Sequence, residues 1–190
     1  MRNGVALVRP LAYGDEITLD AVFDGLSTAS RYDRYLTGVP RLTPSMRSAL
    51  TDVDGRNHIA WVAEVDGQPA AIGRLVRMLP DEAELALEVV DHLQGHGLGT
   101  ALLDTLLTAA SVSGINRVRA TVLPSNDRSL RLLRRLGMTF RPDGGLLEGT
   151  AAVRLPDTSS VDRAAVVRLA CAAAAGSARA GRDARSAAGA

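Results

Sequence analysis

The sequence predicts an α/β domain: a mixed sheet flanked by helices. Three observations carry this prediction. Short apolar runs alternate with longer segments of helical period over residues 5–155. Hairpin signals, Asp66-Gly67 and Asp143-Gly144-Gly145, stand on either side of the centre. Between them, Leu85-Ala86-Leu87-Glu88-Val89-Val90 leads through Gln94-Gly95-His96-Gly97-Leu98-Gly99 into a segment of helical period, Thr100 to Leu107.

The elements follow in order. Val5 to Arg9 reads as a first strand, stopped by Pro10. Asp15 is a good N-cap for a helix running through Leu26. Thr43-Pro44 starts a second helix, with a hydroxyl cap followed by a proline where no N–H is needed. Ile59 to Val65 is a strand that turns at Asp66-Gly67 and returns over Ala70 to Val76. Leu79-Pro80-Asp81-Glu82 breaks the chain before the strand at 84–90. The helix after the glycine loop runs to about Ser113, and Gly114 supplies its left-handed cap. A strand at 117–122 and a helix at 126–136 follow, the latter closed by Gly137. Met138 to Arg141 and Ala151 to Leu155 form a last hairpin. From Pro156 alanine, serine, arginine and glycine dominate. A single domain at 1–155 and an Ala/Arg-rich tail at 156–190 are expected. The tail is read as one helix over Val161 to Ala175, disordered beyond Gly176 and dispensable for turnover.

Composition excludes several classes. A chain of 190 residues suits one domain with a full core. With 22 basic and 21 acidic residues the net charge is +1, so neither a nucleic-acid surface nor a polybasic membrane anchor is indicated. All 22 basic residues are arginine. The single cysteine, Cys171, excludes an internal disulfide, and it lies far from the motifs. His58, His92 and His96 have no metal-ligand spacing, and no metal is expected. No signal core or membrane-length apolar run is read, so a soluble cytoplasmic protein is expected.

The glycine loop reads as an anion site. Its glycines let the backbone turn tightly and approach a ligand. The first N–H groups of the next helix lack internal partners and favour a phosphate. The register is G-x-G-x-G (Gly95, Gly97, Gly99), which is not the dinucleotide fingerprint, and there is no Walker lysine.

Glu84 and Glu88 interrupt an apolar strand. Four apart, they share one face, while Leu85, Leu87 and Val89 take the other. Carboxylates on such a strand are costly unless solvated or paired. Either they form a functional, wet face suited to a general base, or an arginine such as Arg74 or Arg119 pairs with them.

Gln94-x-x-Gly97-x-Gly99, between an apolar strand and a helix, resembles the acetyl-coenzyme A signature of the GNAT N-acyltransferases. The later block Val118 to Val122 followed by Asn126 to Met138 resembles that family's second strand–helix unit. The resemblance spans roughly residues 4–155. Within the family the wording is most similar to bacterial Pat-type protein-lysine acetyltransferases. The shared phrases are Ser30-Arg31-Tyr32-x-x-Tyr35-Leu36, Leu50-Thr51-x-Val53-Asp54-Gly55-x-x-His58 and Ala83-Glu84-Leu85-Ala86. Those relatives often carry a regulatory or acyl-CoA synthetase domain, and this sequence shows neither.

The resemblance implies a mostly antiparallel, twisted sheet and acetyl-CoA as co-substrate. It implies that Gln94, Gly95, His96, Gly97, Leu98, Gly99 and Thr100 hold the pyrophosphate, mainly through backbone N–H groups. His96 either assists a phosphate or faces solvent. Val89 and Val90 would pair with the pantetheine arm and offer an oxyanion donor. Asn126 would contact the coenzyme or simply cap its helix. Glu84 is the preferred base, and Glu88 is second. The family's thiolate-protonating tyrosine corresponds to Leu133 here, which leaves the general acid unassigned. Tyr32, Asp33 and Tyr35 either wall the acceptor pocket or merely pack.

The expected activity is direct N-acetyl transfer, preferably to protein lysine. The alternatives are a small-molecule amine acceptor and a non-catalytic acyl-CoA sensor. Neither composition nor motif specifies the oligomeric state.

Overall fold

The computed structural model describes residues 7–187, and side chains up to Gly176. Val5 and Ala6 of the expected first strand, and the last three tail residues, lie outside the described residues. Among the described residues, seven strands form one sheet in the order β1-β2-β3-β4-β5-β7-β6. They are β1 (Leu7–Pro10), β2 (His58–Val65), β3 (Gln68–Leu79), β4 (Glu82–Val89), β5 (Arg117–Val122), β6 (Thr139–Asp143) and β7 (Leu146–Ala152). Only β4 and β5 pair in parallel; every other pair is antiparallel. The α/β mixed sheet follows as predicted. The turn at Asp66-Gly67 has φ of 51° and 75°, the two positive values that a tight hairpin requires.

The helices are α1 (Glu16–Asp24), α2 (Thr28–Tyr35), α3 (Pro44–Thr51), α4 (Leu98–Val112), α5 (Asp127–Arg134) and α6 (Arg163–Ala187). Asp15, Thr43 and Asn126 each accept a hydrogen bond from the backbone N–H three residues on. Helix α4 is the central column. Eleven of its residues, Leu98 and Ala101 to Ala110, are buried. The side of β3 and β4 that carries Gly73, Leu75 and Leu85 packs against it. A Cβ on Gly73 would sit 2.7 Å from Leu106 Cδ1, so glycine there permits the close helix–sheet approach.

Two features depart from the sequence expectation. Residues 28–35 form a helix, α2, with no buried residue and hence no apolar stripe to announce it. Ser27 caps it, Leu36 ends it at φ 57°, and contacts to distant elements hold it. The second departure is the tail. Helix α6 is continuous through Ala187 instead of ending near Ala175. It also packs on the domain: Val166 and Ala170 are buried in the core. The α6 backbone at Ala173 and Ala174 passes so close to Gly55 that a Cβ there would lie 2.8 Å from the Ala174 nitrogen. The anchor is Asp104 of α4, only 4% exposed. It accepts hydrogen bonds from Ser159 Oγ (2.5 Å), Ser160 N (3.2 Å) and Arg163 Nε (3.0 Å).

Candidate active site

The site arises where the sheet splits. Strands β4 and β5 pair over only three residues, Glu82–Glu84 with Arg117–Arg119, and then diverge. Beyond that point the facing edges of Leu85–Val89 and Ala120–Val122 have no strand partner on that side among the described residues. They line a cleft of about 740 Å³. Unpaired strand edges are hydrogen-bonding groups in search of a partner. Such edges can take up an extended chain that brings its own amides.

The two predicted carboxylates are not equivalent. Glu82, Glu84, Ala86 and Glu88 share one face of β4. Glu88 is buried and held by three residues. Arg74 Nη2 lies 3.5 Å from Oε1, Arg34 Nε lies 3.5 Å from Oε2, and the Tyr35 hydroxyl donates to Oε2 at 3.2 Å. Arg74, itself buried, donates to the Leu50 carbonyl of α3. The cluster therefore ties α2 and α3 to β4. Burial first, and then the Glu88 charge, push the Tyr35 phenol far above its ordinary value, so it remains a donor. Burial pushes the Arg74 guanidinium down, opposed by Glu88. Of the two readings of this face, Glu88 follows the arginine-paired one, through Arg74 and also Arg34, and not the wet one.

Glu84 is the exception on that face. It is exposed, lines the cleft, and has no ion-pair partner among the described residues. Arg119, a predicted partner, is committed to Glu82 (3.1 Å) and Glu148 (2.7 Å). Glu84 is also the last β4 residue paired with β5, so it marks the opening of the cleft.

The glycine loop follows a short 3-10 turn at Asp91–Leu93. Gly95 and Gly97 adopt φ of 82° and 90°, the left-handed region that favours glycine. A Cβ at Gly99 would lie 3.3 Å from Leu132 of α5. The Gln94 side chain braces the loop: Nε2 donates to Val89 O (2.9 Å), Asp91 Oδ1 (3.1 Å) and Ser30 Oγ (3.4 Å). Sequence reasoning stressed the glycines and missed this side-chain role. The Asp91 carboxyl lies below its ordinary value: burial acts to raise it, and hydrogen bonds from Ser27 and Ser30 outweigh that. The loop and α2 are thus joined.

Val89, Gln94, Gly95, Gly97, Gly99, Thr100 and Asn126 line the cleft, as do Glu84 and Glu88. Val90, His96 and Leu98 do not. Val90 is buried against Gly25, whose added Cβ would lie 2.5 Å from Val90 Cγ1. His96 is exposed, with Nδ1 3.1 Å from Gln94 O. Leu98 is buried in the core. Asn126 Oδ1 caps α5 through Ser129 N at 3.0 Å. Leu133 is buried, so no hydroxyl stands at that position of α5. Asp33 lines the cleft; burial raises its carboxyl, opposed by the Arg128 charge. Tyr35 packs behind the wall at 5.9 Å from Phe23. His58 is structural. Its Nδ1 lies 3.0 Å from Asp52 O, and burial, then Arg74, lowers its pKa. Among the described residues no metal-binding cluster of His, Cys, Asp and Glu forms, and no helix is long and apolar enough to cross a membrane.

Comparison with known proteins agrees with this geometry. The chain is 32% identical over 157 residues to "Acetyltransferase Pat" of Mycolicibacterium smegmatis, covering 80% of this chain and 46% of that protein. The chain thus spans about half the length of that relative. The GNAT domain of S. lividans PAT superposes with a TM-score of 0.74 at 28% identity, covering 77% of this chain and 90% of that domain. YncA of Salmonella typhimurium, solved with its cofactor acetyl-CoA, shares the fold at a TM-score of 0.62 and 19% identity, over 83% of this chain and 99% of that one. The acetyltransferase (GNAT) family profile matches residues 25–138, and the chain belongs to that family.

Proposed function

We propose that this protein transfers an acetyl group from acetyl-CoA directly to an amine, with Glu84 as the base. The carrying observation is the position of Glu84: a free carboxylate where β4 parts from β5. The unpaired edge of β4 suits the amides of the pantetheine arm. The positive-φ loop and the N-terminus of α4 suit its pyrophosphate.

An ammonium must first lose a proton. A solvent-exposed lysine amine titrates at about pH 10.4, so only about one in 2,500 is neutral at pH 7. Glu84, directly or through water, takes that proton as the amine attacks the thioester carbonyl. A backbone N–H on the open β4 edge stabilises the oxyanion. The carbon–sulfur bond then breaks and the thiolate leaves. With Leu133 on α5, no tyrosine protonates the thiolate from that helix, and water supplies its proton.

Protein lysine is the acceptor we favour, supported by the Pat-type phrases around Glu84 and α2. Asp33 and Glu84 suit any cation, so small amines stay in the test. Thiol release from acetyl-CoA is measured with lysine-bearing proteins and with small amines. Acetyl-lysine formed only with protein supports the favoured acceptor; release only with small amines replaces it. Glu84→Gln is expected to lower turnover by about 10²–10⁴-fold with coenzyme binding intact. Full activity in Glu84→Gln refutes the base. Binding without release in the parent protein points to an acyl-CoA sensor, the reading that Leu133 favours.

A further inference from the structure

Glu84 stands in a row of residues that crosses the sheet. By register, His58 of β2 is opposite Val76 of β3, Val76 is opposite Glu84, and Glu84 is opposite Arg119 of β5. Arg119 is in turn opposite Thr150 of β7, and Thr150 is opposite Thr139 of β6. Paired residues share a face, so the whole row lies on one side of the sheet.

That side is covered at one end. Helices α2 and α3 reach over it to Glu88 and Arg74. Across β5, β7 and β6 it is open: Thr139, Arg141, Thr150 and Ala152 are exposed, while Val118, Ala120 and Ala151 on the opposite face are buried. Glu84 thus borders the cleft and also a broad, uncovered sheet face. Small-molecule sites are concave. An open face three strands wide suits the surface of another protein.

The face is not uniform. Toward β3 it is apolar, with Val76 and Leu79 exposed and Leu79 opposite Glu82. Toward β5 and β6 it is cationic. The Glu82 side chain is only 7% exposed, and Glu82 and Glu148 both lie against Arg119. Arg117 stands out at 62% exposed, its ion pair with Glu82 stretched to 3.8 Å. Arg141 is exposed and enters no salt bridge among the described residues. Asp143, also exposed, lies at the far end of β6 from Thr139. With the carboxylates beneath the guanidiniums, the charge turned outward beside Glu84 is positive.

We infer that this open face is the docking surface for the acceptor protein. It selects a lysine that has an apolar residue on one side and acidic residues on the other. Val76 and Leu79 receive the apolar side chain, Arg117 and Arg141 receive the carboxylates, and the lysine between them reaches Glu84. This rests on the protein-lysine reading and adds the chemistry of the sequence around that lysine.

Thiol release from acetyl-CoA tests it with short peptides that carry one lysine and are blocked at both ends. The flanks are leucine on one side and aspartates on the other, in both chain orders. Peptides with alanine on both sides, and with arginine in place of aspartate, are the comparisons. One Leu/Asp order should exceed the alanine peptide in kcat/KM by about three- to tenfold, the reach of two exposed ion pairs. The gap should narrow in high salt. Arg117→Glu/Arg141→Glu should turn the preference toward arginine flanks and leave the KM for acetyl-CoA unchanged, a reversal that loss of structure would not give. Arg141→Glu alone breaks no ion pair among the described residues and should weaken the aspartate preference even where the double variant fails to fold. Leu79→Ser should remove the leucine preference only. Equal turnover of all the lysine peptides, or an unchanged preference in Arg141→Glu, overturns the docking surface and leaves the lysine acceptor standing. Release with small amines and with no lysine peptide overturns the acceptor reading, and the docking surface with it.

Discussion

Replacing Glu88 with glutamine separates the two carboxylates of β4. The change keeps the side-chain volume and removes one negative charge. Arg74 and Arg34 then face each other across the cluster with no counter-charge. Each attraction, at 3.5 Å, is worth about 5 kcal/mol with an effective dielectric near 20. These gross terms are offset by the several kcal/mol that burying the carboxylate costs. The Arg34 side chain is 15% exposed and recovers some solvation, whereas Arg74 at 3% does not. The net expected loss is about 2–4 kcal/mol. For a domain of this size that lowers Tm by about 6–12 °C. Thermal and urea unfolding of Glu88→Gln and Glu84→Gln side by side provide the measurement. Glu84→Gln, at an exposed and unpaired position, should stay within about 0.5 kcal/mol of the parent. A Glu88→Gln protein as stable as the parent, or equal losses in both variants, refutes the assignment of Glu88 to the structure and Glu84 to the cleft.

The remaining predictions concern the tail, a histidine and the arginines. Arg163→Ala should cost about 2 kcal/mol, because buried Asp104 loses its charged partner; a change under about 0.5 kcal/mol in urea unfolding would remove the anchor. Ending the chain at Leu155 should abolish soluble folded protein, as judged by circular dichroism, because Val166 and Ala170 leave the core. Normal turnover of that truncation would restore the view of the tail as dispensable. His58 has a folded pKa below its ordinary value of about 6.5, so the unfolded chain takes up its proton first. Stability should therefore fall as pH drops below about 6.5 and level off below the folded pKa, a slope that His58→Gln should remove. Finally, a chain without lysine has no ε-amine to modify. Incubation with acetyl-CoA should leave its mass unchanged apart from the α-amino group, and stoichiometric labelling elsewhere would contradict this.

What was legible in the sequence was local. Asp15, Thr43 and Gly114 announce helix ends because caps are decided by the residue itself. Asp66-Gly67 announces its hairpin for the same reason. Helix α2 was not legible. Its residues bury nothing, and its stability depends on Glu88, 53 positions away from Tyr35. The docking of α6 was hidden by an alanine-rich composition that fits a free helix equally well. One signal did point to it: Asp104 interrupts the most apolar helix of the chain, and a buried charge requires a partner from elsewhere. The bracing role of Gln94 was similarly non-local, since it depends on Ser30 of α2.

The functional argument rests on how one strand is shared among its neighbours. Glu82, Glu84 and Glu88 have the same chemistry and the same face of β4. Glu82 meets Arg119 because β5 is still paired there. Glu88 meets Arg74 and Arg34 because β3 and α2 cover the other end. Glu84 lies at the last paired rung, where β5 turns away and no arginine among the described residues pairs with it. The divergence that leaves Glu84 unpaired also exposes the backbone edge that a thioester arm needs. The proposed base and the proposed donor slot thus have one geometric cause. A substitution that closes the split should remove both together, whereas Glu84→Gln should remove only the first.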